Sequence, residues 1–294
     1  MEQFQSLILA VMCFIEEALI FVDSHHLVPT QPYMKSYIEW MRYQQQRLAN
    51  GQMVVNREAV RQMLHNTEKR EHFMDELENS GAEGAFFVQI GRNLISILDG
   101  RTTALHLMFE AGLADRYYAE GLTDEHVCHP ALAFVDLLCF KNPSMNIIEV
   151  GAGTGGQTLP LLTKMSEGGS NRWARYDVTD ISSGFFGQAQ EKLQRFLHQM
   201  EFRVRDISKD PLSQSFEKEG YDLVIASHVL HATDNLDLTL QNVRKLLKPN
   251  GKLLLFETTD PDAAHIGFAF GLLKDWWGPI DRDSRSLYSP CLKV

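Results

Sequence analysis

The sequence predicts an α/β fold: a parallel sheet with helices on both faces, preceded by a mainly helical region. Three observations predict it. From about residue 143 onward, short apolar runs alternate with helix-length segments. A glycine-dense stretch, IIEVGAGTGGQT (147–158), overlaps the end of the first run. The first 140 residues lack that alternation and carry helical periodicity instead.

The helical region comes first. Tyr33, Tyr37, Trp40 and Met41 share one face at helical spacing within 33–48. The segment 63–77 also reads as helix, dense in charge. Breaks are expected near 29–32, at Asn50-Gly51 and at Ser80-Gly81. A helical subdomain is therefore drawn over 1–140 and a core domain over 141–294. In the core, strands are expected over 146–150, 174–179, 201–205, 221–227 and 252–258. Helices are expected over 157–165, 185–198 and 236–247. Pro160 falls in a first helical turn, where a missing N–H does no harm. Pro249-Asn250-Gly251 is expected to end the last helix and turn into the last strand. Sheets of this kind bind ligands outside the carboxyl ends of their strands, so residues at those ends are the candidates.

Composition narrows the partners. The 294 residues are 44% hydrophobic, enough for one good-sized core and a smaller unit. A net charge of -10 with scattered basic residues argues against nucleic acid, which demands clustered Lys and Arg. Cys13, Cys128, Cys139 and Cys291 form no CxxC pair and suit a reducing compartment as small apolar residues. The apolar run LILAVMCFI (7–15) is too short to span a bilayer and ends at Glu16-Glu17. It reads as a buried helix, and with no signal-type positive start the expected setting is a soluble, cytoplasmic one.

Gly151, Gly153 and Gly156 satisfy GxGxxG, a spacing shared with nicotinamide dinucleotide sites. Two features favour S-adenosylmethionine. Glu149 stands on the strand before the glycines, where a carboxylate suits a cationic amino-acid moiety and repels a pyrophosphate. Gly155 adds a fourth glycine to the loop. A tight turn that binds nothing is the competing reading. Asp180 and Asp206 end the next two strands. Asp180 suits a ribose diol, and Asp206 an adenine amino group with Ile207 against the ring. Either Asp alone would sooner be a helix cap, but the two occupy equivalent places in one sheet. Ile181 and Ser227 join the expected cofactor-contacting set.

Several segments resemble the C-methyltransferase domain of fungal highly reducing polyketide synthases. They are LMFEAGLADRYYAEGL (107–122), FVDLLCFKNPSMNIIEVGAGTGGQTLP (134–160), YDVTDISSGFFGQAQEKLQRF (176–196), YDLVIASHVLHAT (221–233), NVRKLLKPNGKLLLFET (242–258) and FGLLKDWWG (270–278). The resemblance implies a Rossmann-like class I methyltransferase core behind an N-terminal helical lid. It implies methyl transfer from S-adenosylmethionine to the α-carbon of a β-ketoacyl chain on acyl carrier protein. Other polyketide synthase domains are the implied partners, with no nucleic acid and no membrane.

His231 follows the fourth strand and Glu257 ends the fifth. These strands are neighbours in such a sheet, so their side chains can meet. A weakly acidic α-proton needs a base, and an imidazole oriented by a carboxylate is a suitable one. The family has a His and a Glu in this role at the matching places. Read singly, each residue is an ordinary loop or strand-end residue. His228, where the family more often has Asn, is expected to touch the cofactor or line the pocket. It makes HxxH with His231, but no third ligand is evident, so no metal is expected; His126 and His129 are read likewise. Tyr117, with Tyr118, is expected to close over the cofactor. Phe268, Phe270, Trp276 and Trp277 read equally as core or as the wall of an acyl pocket.

One departure stands out. The fold ordinarily carries a C-terminal β-hairpin after the fifth strand, and the residues beyond WWG look too few and too polar to supply it. The expectation is a shortened core whose fifth strand is an exposed edge. Two other functions stay open here: a free-standing O- or N-methyltransferase, and a degenerate fold without chemistry.

Overall fold

A computed structural model of the chain describes residues 2–29, 31–110, 112–121, 125–281, 285–286 and 288–292. They form two compact units. One joins residues 1–117 with 260–277 and 285–290; the other joins 118–259 with 278–284 and 291–294. The division falls near 117/118 rather than at the expected 140/141, and 260–277 returns to the helical unit. The change of sequence rhythm at Asn142-Pro143 marks the start of a strand, whereas the helix before it already belongs to the sheet unit.

The helical unit is built on α1 (Glu2–Ser24), α2 (Pro32–Ala49), α3 (Arg57–His65), α4 (Thr67–Glu78) and α5 (Ala82–Leu98). The apolar run 7–15 lies inside α1, which is 23 residues long and so extends well beyond it. By length and composition α1 could cross a membrane, but Leu7, Val11, Met12, Cys13 and Ile15 are at most 1% exposed. They are buried where α1 packs on α2, α3, α5 and α11 (Ala264–Phe270). Burying such a side chain contributes about 1.5–3 kcal/mol. Tyr37, Trp40 and Met41 fill the buried face of α2, as their spacing predicts. The buried Tyr37 hydroxyl donates to the Phe268 carbonyl of α11 at 2.8 Å. The single helix expected over 63–77 is two. Asn66 lies between them in an extended conformation, and its Oδ1 caps α4 by accepting from the Lys69 N–H at 2.9 Å.

The sheet unit holds α6 (Leu113–Gly121) in part, α7 (Glu125–Lys141) and β1 (Asn146–Val150). Then follow α8 (Thr158–Met165), β2 (Arg175–Asp180), α9 (Phe186–Lys192), β3 (Met200–Val204), β4 (Tyr221–Ser227), α10 (Leu236–Leu246) and β5 (Leu247–Phe256). The strand order is β3-β2-β1-β4-β5, with every pairing parallel. Consecutive residues of the central strands face opposite cores. Ile147, Leu223 and Ile225 join the cluster with Trp173 and Phe196. Ile148, Val224 and Ala226 join the one with Phe216 and Val243. Apolar runs without alternation are therefore what this sheet requires. Two elements differ from expectation by more than two residues. The helix expected over 185–198 breaks after Lys192 into a 3-10 segment, Gln194–Gln199. Strand β5 begins at Leu247 because its pairing with β4 continues through a register shift, carrying Asn250 at φ +65°.

Among the described residues the parallel sheet ends at β5. The tail that looked too short for strands does form a pair, β6 (Arg285–Ser286) with β7 (Ser289–Leu292), but as a separate two-stranded sheet.

Candidate active site

The glycine loop leaves β1 as a sequence of reversals. Gly151, Gly153 and Gly155 have φ of +67°, +54° and +76°, a region that L side chains enter only with strain. Gly151 also lies against another element: a Cβ there would come within 2.5 Å of the Val229 side chain. Gly153 differs. A Cβ there would meet no protein atom within 4 Å, so this part of the loop borders open space. The Gly153 N–H donates to Asp180 Oδ2 at 3.0 Å, and Asp180 Oδ1 accepts the Ser182 N–H at 3.0 Å. Asp180 thus ties the loop to the end of β2, and beside it Ile181 is 69% exposed.

Glu149 is sealed beneath the loop at 1% exposure. Its Oε2 accepts from Thr158 Oγ1 at 2.7 Å and from the Tyr176 hydroxyl at 2.6 Å. Its Oε1 and both polar atoms of the Gln157 side chain have no hydrogen-bond partner among the described residues. Burial pushes the Glu149 carboxyl up to about 7, despite the hydrogen bonds from Tyr176 and Thr158. Thr158 and Tyr176 escaped the sequence reading, because neither stands at a strand's carboxyl end. Asp206 is occupied locally. Its Oδ1 accepts the Ser208 N–H and hydroxyl, and its Oδ2 pairs with Lys209 at 2.9 Å. These contacts hold its carboxyl below the usual carboxylate range, against the opposing effect of burial. They are those of a turn cap. Ile207 packs, partly buried, on the core cluster that contains Val224.

On the other side of β1, β4 and β5 bring the expected pair together. His231 Nδ1 lies 2.6 Å from Glu257 Oε2. The other carboxylate oxygen, Oε1, accepts backbone N–H groups from Val229, Leu230 and His231 at 3.1, 2.8 and 3.4 Å. The turn after β4 is therefore wrapped around one carboxylate. Burial pushes the Glu257 carboxyl up, but the His231 hydrogen bond and the charges of His231 and His228 outweigh it, and the net shift is downward. A carboxylate at Nδ1 fixes the neutral tautomer that carries its lone pair on Nε2.

His228 begins that turn in the left-handed region, at φ +51°. Its N–H donates to the Phe256 carbonyl at 2.8 Å. The residue is exposed, yet enough protein surrounds the ring to push its pKa below the usual value. The Tyr118 ring is 6.3 Å away, centroid to centroid. Ser227, half-buried, is the last residue of β4. Tyr117 belongs to the helical unit, where its ring stacks on Phe86 at 4.6 Å and burial pushes its hydroxyl up to about 12. The aromatic segment packs in the same unit: Phe268 is fully buried, and Phe270 stacks on Trp276 at 6.5 Å. Among the described residues no group of three or more His, Cys, Asp or Glu could hold a metal. The side chains of His126, Cys128 and His129 lie outside the described residues.

A five-stranded parallel sheet in this order, with a glycine loop after β1 and an acidic residue ending β2, defines a Rossmann-like fold. The methyltransferase-domain family matches residues 148–253. The trans-methyltransferase CalH, solved in complex with SAH, superposes with a TM-score of 0.78 at 28% identity, covering 99% of this chain and 80% of that one. The CurJ carbon methyltransferase gives 0.74 at 26% identity, covering 98% and 80%. The highly reducing polyketide synthase NEC1 of Pyricularia oryzae is 38% identical over 258 residues, 87% of this chain and 9% of that protein. The chain spans about a tenth of the length of the curated relatives it matches. It is an S-adenosylmethionine-dependent methyltransferase related to the C-methyltransferase domains of polyketide synthases.

Proposed function

We propose that this chain methylates the α-carbon of a β-ketoacyl group carried as a thioester on an acyl carrier protein. The observation that carries the reading is the His231–Glu257 pair, with one carboxylate oxygen on the imidazole and the other on three backbone N–H groups. A neutral amine nitrogen already offers its lone pair and can take a methyl group with little help from a base. Methylation of carbon needs a proton removed first. In this reading Nε2 of His231 takes the α-proton, and the Glu257 carboxylate stabilises the imidazolium that forms. A positioned base of this kind contributes about 10²–10⁴-fold in rate.

Bound S-adenosylmethionine supplies an electrophilic methyl group on a positively charged sulfur. The loop fits it. Gly153 borders open space, and each Asp180 oxygen retains a lone pair beyond the N–H it already accepts. In this assignment Asp180 takes the ribose hydroxyls, and the exposed Ile181 is the apolar surface against the adenine. Gly151 and Gly155 shape the loop, Glu149 supports it from below, and Ile207 and Ser227 border it. Asp206 acts through its turn rather than by direct contact. Within a polyketide synthase the other domains would supply and consume the acyl chain, in the cytoplasm.

Calorimetry with S-adenosylmethionine, followed by mass spectrometry on a β-ketoacyl-pantetheine, tests the reading. A mass gain of one methyl on the α-carbon, lost in His231→Ala with cofactor binding retained, is expected. Unchanged turnover in His231→Ala, or methylation of oxygen or nitrogen acceptors alone, overturns it.

A further inference from the structure

The geometry points to His228 as a second catalytic residue, a ring N–H donor to the oxygen of the enolate that forms when His231 removes the α-proton. The inference rests on the reading above and assigns His228 to the substrate rather than to the cofactor.

Three observations carry it. First, the turn 228–231 is anchored at both ends. The His228 N–H is tied to the Phe256 carbonyl at the end of β5, and the next three N–H groups converge on Glu257 Oε1. The two imidazoles are thus mounted on one rigid turn beside one carboxylate. Second, His228 sits at φ +51°. A non-glycine residue is held there at some cost, and such strain persists where the surroundings over-determine it. Third, the ring is exposed at the carboxyl end of β4, where a ligand of such a sheet arrives.

The division of labour follows from the partners of each ring. His231 has a carboxylate at Nδ1, which orients the ring and leaves the lone pair on Nε2. Among the described residues no carboxylate is hydrogen-bonded to His228, and the protein around the ring holds its pKa below the usual value although the residue is exposed. It therefore lacks the carboxylate that would stabilise a second proton, and is the weaker base of the two and a good hydrogen-bond donor. The proton balance is simple. The Cα–H bond breaks, the proton passes to His231 Nε2, and the electron pair spreads over the α-carbon and the flanking carbonyl oxygens. His228 keeps its own proton and donates a hydrogen bond to one of those oxygens. A preorganised donor aimed at developing charge is worth about 10²–10³ in rate.

The test separates enolate formation from methyl transfer. The chain is incubated in D₂O with a β-ketoacyl-pantetheine, and α-hydrogen exchange is followed by NMR, with methyl transfer measured in parallel. The variants are His228→Asn, which tolerates positive φ and keeps an N–H donor, His228→Gly, which relieves the backbone and removes the donor, and His231→Ala. His228→Gly should slow both exchange and transfer by about 10²–10³-fold, His228→Asn by much less, and neither should change cofactor affinity by more than about threefold. Exchange at the wild-type rate in His228→Gly, with His231→Ala inactive, sinks this inference and leaves the parent reading standing. A fall in cofactor affinity that accounts for the lost rate returns His228 to the cofactor. Normal exchange and transfer in His231→Ala overturn the parent reading and this one with it.

Discussion

Two glutamates at carboxyl ends of the parallel sheet meet opposite fates. Glu149 on β1 is sealed, takes its hydrogen bonds from two neutral hydroxyls, and its carboxyl is pushed up to about 7. Glu257, just past β5, takes three backbone N–H groups and an imidazole, and its carboxyl is pulled down. Burial alone favours the neutral acid in both. What separates them is the donor set: three backbone N–H groups and an imidazole stabilise the charged form more than burial opposes it. The first carboxyl is built to support a loop, and the second to stay ionised beside a base.

The largest expected effect breaks the Glu257 side of the contrast. Glu257→Gln keeps an oxygen for the turn but removes the charge behind His231, and methyl transfer should fall about 10²–10³-fold. Mass spectrometry of turnover checks this, and a loss of less than about threefold would detach the carboxylate from the chemistry.

The second effect is on stability, and the two glutamates should give opposite signs. For Glu149 the folded pKa lies above the unfolded one, so the unfolded chain releases its proton first. Stability is then greatest below about 4.5 and declines as pH rises to about 7, by about 3 kcal/mol in the apo protein. Glu149→Gln should flatten that slope in urea titrations run from pH 5 to 8. For Glu257 the folded pKa is depressed. Its contribution is present above the ordinary glutamate value of 4.5 and is lost as pH falls through the folded value. Glu257→Gln should therefore change stability mainly above that window, and in the destabilising direction.

A third prediction concerns the contact joining the two sides. Gly151→Ala forces a Cβ against Val229, whose N–H is held by Glu257. A loss of about 2–3 kcal/mol is expected. At Gly153, where the space is open, Ala should cost about 1 kcal/mol through its φ alone. Equal losses in denaturant melts would show that Val229 yields easily.

The smallest effect is on cofactor affinity. Asp180→Asn should weaken S-adenosylmethionine binding about tenfold, and Asp206→Asn by no more than about threefold, because the Asp206 oxygens already serve Ser208 and Lys209. Calorimetry that ranked them the other way would reverse the two assignments.

Much of the sheet was legible because its signals are local. The apolar runs that became β1 and β4 have the bounds their composition predicts, since strands buried on both faces are mostly apolar. The errors also have local causes. Asn66 divides the helix expected over 63–77 by capping α4 with its own side chain, a choice that helical periodicity does not register. Strand β5 starts before Pro249-Asn250-Gly251 because its neighbour β4 continues to pair with it. In the site, the glycine spacing and the acidic strand ends were visible, as were His231 and Glu257. Thr158, Tyr176 and Val229 were not, because each matters only through a partner distant in sequence or fixed by the fold.

The sequence by itself determined the parallel sheet, the loop with its positive-φ glycines, and which side chains stand at the strand ends. Those features follow from hydrophobic pattern and backbone sterics, which act over a few residues. Only the tertiary structure decided what each carboxylate does. Ionisation depends on which donors surround a group and how much water remains, and those are supplied by α8 and β2 for Glu149, and by the turn after β4 for Glu257.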